Sequence, residues 1–251
     1  MKSRNRGRSG QIIAVSALVI ALIMTSTAMY VYELSGNIGE ADAYLLNDFV
    51  RMIELGSKHV VVGALANITN GGQNDTLVAV LNVWRTTVVR QYSLGTFAFN
   101  YTLRNDAPYV SGLHVSWGAD GNGVSEAYVN FLLNASGKGI EMRFPYYANV
   151  STRLSIEGFL TEIAPDSKQV TVVCRLSNEG QPALAKSIAI HYRESTLWLE
   201  ATNNYVIADY GNGTYRATFI VETSATVLDV SARVFDLRSV LVQANATCLQ
   251  Q

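Results

Sequence analysis

Two cysteines, three histidines and seven asparagines in N-x-S/T triplets are the residues of this 251-residue chain best able to carry chemistry. Cys174 shares strand parity with Val170 and Val172, and Cys248 shares it with Val240 and Val242, so both thiols are expected to point inward. In an exported domain such a pair can close a disulfide between an early and a terminal strand, or remain as two buried thiols; both readings stand. The triplets fall at Asn67, Asn74, Asn100, Asn134, Asn149, Asn212 and Asn245, against roughly three expected by chance for so degenerate a motif. Asn100, Asn134 and Asn245 occupy the polar parity of their strands, and the other four are expected in turns or loop edges, where a bulky glycan has room.

The histidines point away from catalysis. His59, His114 and His191 belong to three separate elements, the latter two on expected solvent parities, and form neither a metal set nor a base beside a nucleophile. Asp209 and Asp236 near a strand edge read as capping or solvated carboxylates rather than a cation site. With no glycine loop for a phosphate either, the chain is expected not to be an enzyme, and no cofactor or metal is called for.

The elements that hold these residues fall into two sets. Leu45, Leu46, Phe49, Met52 and Ile53 recur at helical spacing, as do Leu77, Leu81, Trp84 and Val88 after the loop Asn70 to Asn74, which predicts a helical hairpin. Beyond Tyr92 the period becomes two. Phe97 to Leu103, Leu113 to Trp117 and Ala127 to Leu133 alternate as strands, with a further strand around Leu154 and Ile156, so residues 37–158 read as a hairpin on a small antiparallel sheet. About seven short strands then follow between Val170 and Ala246, the number and spacing of an immunoglobulin-like β-sandwich over 159–251. Residues 161–168 read as a linker or leading edge strand, and the sandwich is expected to fold by itself from near Phe159. The fold class is thus mainly β with α.

Charge sets the first 36 residues apart. Lys2, Arg4, Arg6 and Arg8 precede an uncharged run from Ile12 to Tyr32, and no acidic residue comes before Glu33, leaving 15 basic against 20 acidic residues in the remainder. An acidic body is a poor partner for a phosphate backbone, so no nucleic acid is expected. As a helix the run is about 30 Å long, enough to cross a bilayer, and the basic leader keeps the N-terminus cytoplasmic and the rest outside. A secretory signal cut after Ser26-Thr27-Ala28 is the competing reading.

Arg6-Gly7-Arg8-Ser9-Gly10 followed by Gln11-Ile12-Ile13-Ala14-Val15 resembles the class III signal of archaeal type IV pilins. The resemblance covers about the first 34 residues and implies cutting between Gly10 and Gln11 by a prepilin peptidase, then assembly by pilus machinery into a filament through the apolar helix. It divides the start of the chain into a leader, 1–10, and a transmembrane or assembly helix, 11–36. Val15 stands at the fifth position of the implied mature chain, where bacterial pilins usually carry glutamate. Ser35 to Gly39 should end the helix at the membrane surface. Farther on, Asp209 to Tyr215 with Phe219 resembles the turn and strand of filamin-like and invasin-like domains. The expected function is a minor or specialised pilin-like structural subunit, anchored in the cell membrane with its bulk extracellular. The alternative is an uncleaved, signal-anchored adhesin or binding protein.

Overall fold

The computed structural model describes residues 48–91, 96–118, 120–137 and 140–250. The expected leader, the membrane-spanning run, and Gly10 and Gln11 lie outside them. Among the described residues no helix is long and apolar enough to cross a membrane. The chain divides into two compact units, residues 1–53 and 54–251. Of the first, residues 48–53 are described, and they are helical.

Among the described residues the architecture is mainly β with two helices. Helix α1, residues 48–69, stops at Asn70-Gly71-Gly72, where helix propensity collapses. Helix α2, Thr76–Gln91, returns. Leu77, Leu81 and Val88 of α2 are buried, as the helical spacing predicted, whereas of the stripe expected in α1 Ile53 is buried and Met52 is 49% exposed; Val61, Ala64, Leu65 and Ile68, farther along α1, are buried as well. Trp84 Nε1 donates to Ser57 Oγ at 2.9 Å, which fixes one helix on the other.

The helices back a sheet of β1 (Thr96–Leu103), β2 (Leu113–Trp117), β3 (Asn122–Gly137) and the start of β4 (Ile140–Ala164). β3 is its hub, pairing antiparallel with the other three. Phe99, Phe131 and Tyr146 stack in series on the inner face, with centroids 5.6 and 5.0 Å apart. The Tyr146 and Ser57 hydroxyls lie 2.8 Å apart and join the sheet to α1. Ala127, Val129, Phe131 and Leu133 are all buried, so the alternation predicted for β3 holds. Val115 departs from its expected inward position and is 42% exposed, because β2 is a short edge strand over an open groove.

β4 is 25 residues long and runs unbroken through positions 158 and 159. Its far half pairs with β5 (Ser167–Asn178) through a turn at Pro165 and Asp166, residues suited to turns by fixed φ and local hydrogen bonding, so the segment expected as a linker is a hairpin. The remaining strands are β6 (Gln181–Pro182), β7 (Ala185–Glu194), β8 (Leu197–Glu200), β9 (Val206–Asp209), β10 (Thr214–Glu222), β11 (Val227–Asp236) and β12 (Leu241–Gln250). Hydrogen bonding runs β8-β7-β11-β12-β4-β5-β10-β9. The β12–β4 junction is parallel and only two residue pairs long, Leu249 with Phe159 and Gln250 with Leu160. On either side of it, two four-stranded layers face one core. Val170, Val172, Leu176 and Phe219 come from one layer; Ile190, Val230, Val234 and Val242 come from the other. Gly158 lets the layers close, since a Cβ there would meet Cys248 Sγ.

Candidate functional surfaces

The two cysteines occupy that core as free thiols, 1% and 0% exposed. Burial alone pushes the Cys174 thiol up to about 12. Burial first, then the nearby charge of Asp229, does the same for Cys248. Deprotonation is thereby suppressed, and with it both nucleophilicity and metal binding.

The seven asparagines separate by surroundings. Asn74 and Asn212 are exposed in turns, and Asn100 is exposed on the outer face of β1. Asn134 is half-buried on the same face of β3, diagonal to Asn100. Two were expected in turns or loop edges and are not: Asn67 lies in the last turns of α1, and Asn149 lies within β4 opposite Tyr128. Asn67 shows no loop because its own helix continues to Thr69, whose hydroxyl donates to Leu65 O. The Oδ1 of Asn149 is buried with no hydrogen-bond partner. Asn245 is held at its backbone, its carbonyl accepting from Gly121 N and its N–H donating to Gly118 O.

His59 is exposed on α1, while His114 and His191 are half-buried instead of facing solvent. His114 is covered because residues 104–112 fold back over the outer face and bring the Tyr109 ring within 6.0 Å of it. Its Nδ1 lies 3.7 Å from Glu126 Oε2, too far for a hydrogen bond. Arg153 approaches the same carboxylate at 3.6 Å. Beside this, the Arg104 guanidinium lies over both Tyr109 and Tyr128, 4.7 and 5.0 Å from their centroids, and Tyr128 stacks on the exposed Tyr147. Burial, then a hydrogen bond to Glu126, pushes the Tyr109 hydroxyl up to about 12. A groove of about 510 Å³ opens beside this cluster, between the α1–α2 turn and β2, lined by Asp75, Val78, Pro108, Val110 and Val115.

The largest polar constellation was not visible in the sequence. Asp236, read there as a capping or solvated residue, is completely buried at the end of β11. It does cap: Oδ1 accepts from the N–H groups of Arg238 and Val240 at 2.9 Å each. Oδ2 accepts from Arg238 Nε at 2.7 Å, Thr152 Oγ1 at 3.1 Å and Asn178 Nδ2 at 3.0 Å. Arg238 reaches on to Glu179 Oε1 at 2.7 Å and to Ser151 O at 3.0 Å. Burial works against the Arg238 charge, but the hydrogen bonds to Glu179 and Asp236 outweigh it and raise its pKa. The knot ties β4, the β5–β6 turn and the β11–β12 turn together, and Thr69 of α1 accepts from Leu241 N beside it. Asp209 is elsewhere, accepting from Gly211 N in the β9–β10 turn. Among the described residues no cluster of side chains is arranged to hold a metal ion.

No protein-family model matches the chain, and no curated protein matches it in sequence.

Proposed function

We propose that the protein is a membrane-anchored, pilin-like subunit of an archaeal cell surface, assembling through its N-terminal apolar helix. The observation that carries this is the junction Arg8-Ser9-Gly10-Gln11, where a basic leader meets an uncharged run through a small residue and a glutamine. Such a helix must be apolar on every side, first in lipid and then among its copies. Its partners are then the membrane, a prepilin peptidase, the assembly machinery and further copies of itself. Exposed Asn74, Asn100 and Asn212 are the positions best suited to glycans.

The head is read as a helix-backed sheet leading into an immunoglobulin-like sandwich. Strand order supports that: β4-β5-β10-β9 against β12-β11-β7-β8 matches the A-B-E-D and G-F-C arrangement with one extra edge strand. The corner Tyr215 supports it too. Tyr215 is buried, accepts from Ala185 N at 2.7 Å, and follows Gly213, at φ 79° and so close to Leu176 O that a Cβ would collide. In this reading the sandwich takes in β4 from about Thr152.

A second reading, an uncleaved surface adhesin, is favoured by the tyrosine-rich outer face and its groove. Replacing Gly10 with leucine separates the two in the native host. The pilin reading expects the leader to be retained and surface filament material to be lost; an adhesin is unaffected. Unchanged N-termini in both proteins overturn the pilin reading.

A further inference from the structure

Lys168 is 2% exposed at the start of β5, which is unusual for the most strongly hydrated of the cationic side chains. Among the described residues no carboxylate lies within ion-pair distance of it, and its Nζ has one hydrogen-bond partner, Gln250 Oε1 of the last strand, at 2.7 Å. The same amide is held from its other side: Gln250 Nε2 donates to Glu162 Oε2 of β4 at 3.0 Å. Backbone pairing sets the three in place, since β4 lies between its partners, with Glu162 opposite Lys168 and Leu160 opposite Gln250. A buried amine, the carboxamide it touches and a carboxylate on that carboxamide's nitrogen are the components of an amide exchange.

We propose that Lys168 and Gln250 become joined by an intramolecular isopeptide bond, with Glu162 as the catalytic residue that carries the proton. Nζ donates an N–H to Oε1 in the folded protein; on losing its extra proton the amine rotates to bring its lone pair onto the adjoining Cδ and attacks it. A Nζ–Cδ bond forms, and the Cδ–Nε2 bond breaks. One hydrogen leaves Nζ, passes through the Glu162 carboxylate and arrives on Nε2, which departs with its own two as ammonia. Nothing is oxidised or reduced, and no co-reactant is consumed; starting from the ammonium form, the product is an ammonium ion. Proximity supplies the rate, because the reacting groups are held by the fold and one side of the site is closed to water. Gln250 is exposed, so ammonia escapes to solvent and the reaction does not run back. The product removes the ammonium whose burial without a counter-charge is costly, and it ties β5 to β12 across 82 positions of sequence. The inference does not rest on the pilin reading.

The test is peptide mapping of the full-length folded protein, denatured and digested with trypsin. A branched peptide joining the segments that contain Lys168 and Gln250 is expected, with no cleavage after Lys168 and a loss of one ammonia. The branched peptide decides the matter, since cyclisation of an N-terminal Gln11 loses the same mass. Lys168→Arg should abolish the branch, and Glu162→Gln should slow its formation at least tenfold in protein that unfolds cooperatively. Ordinary cleavage after Lys168 in aged, folded wild-type protein overturns the proposal; a branch forming equally fast in Glu162→Gln overturns the role given to Glu162.

Discussion

Two cations, Lys168 buried and Arg238 half-buried, lie roughly 35 Å apart along β4, the strand rise from Ser151 to Glu162, and the protein treats them differently. Arg238 is surrounded by acceptors: the carboxylates of Asp236 and Glu179, the Thr152 hydroxyl and the Ser151 carbonyl. Lys168 has a single neutral amide. A guanidinium is a planar fork whose donors can each be satisfied, so its charge can stay buried. An ammonium is a compact point charge that loses hydration without such compensation. The ionic end is therefore built to last as it stands, and the lysine end is arranged to react.

The two ends can be separated by removing one and keeping the other. A chain starting at Phe159 retains Lys168, Glu162 and Gln250 but lacks Ser151, Thr152 and the buried Leu154 and Ile156. It should show no cooperative unfolding in urea, whereas a chain starting at Ala148 should regain it. A cooperative transition in the shorter chain would mean that the knot and this part of β4 are dispensable.

Next in size is Asp236→Ala, which removes the carboxylate shared by Arg238 Nε, Thr152, Asn178 and two backbone N–H groups and leaves Glu179, Ser151 and Thr152 to hold the guanidinium. Removing one member of a buried pair costs about 3–5 kcal/mol, so the melting midpoint should fall by on the order of 10 °C for a unit of this size. Asp106→Ala at the exposed Arg104–Asp106 pair serves as the surface control and should leave the midpoint unchanged. Calorimetry reads both.

A smaller effect is expected from the thiols inside the core. With both thiols raised to about 12, roughly one in ten thousand is ionised at pH 8, so neither should be alkylated by iodoacetamide until the protein is denatured. A folded thiol with a raised pKa holds its proton while the unfolded one loses it, so this contribution is intact below the ordinary thiol value and drains away as pH rises from about 9 towards 12. Unfolding midpoints measured across that window should decline.

Much of this fold was legible because one face of each element is apolar. Residues 127–133 alternate cleanly, and the α2 stripe recurs at helical spacing. The length of β4 was hidden because its first half carries bulky groups on both faces: Phe144 and Tyr146 inward, Pro145 and Tyr147 outward, which erases a period of two. The Asp236 knot was invisible for another reason. Thr152 and Ser151 lie 84 and 87 positions from their partners, and a single aspartate or arginine in a sequence reveals nothing about where the chain will bring it. Lys168 likewise reads as an ordinary strand-end lysine until its burial is known.

If a basic leader is cut from a pilin-like helix, as proposed, the N-terminus of the protein purified from its native membrane or filaments will show it. Mass spectrometry of that terminal peptide should find Gln11, free or cyclised, with the apolar run from Ile12 intact. A chain still beginning at Met1 or Lys2 would make the segment a plain anchor, one beginning at Met29 would make it a secretory signal, and either result contradicts the account.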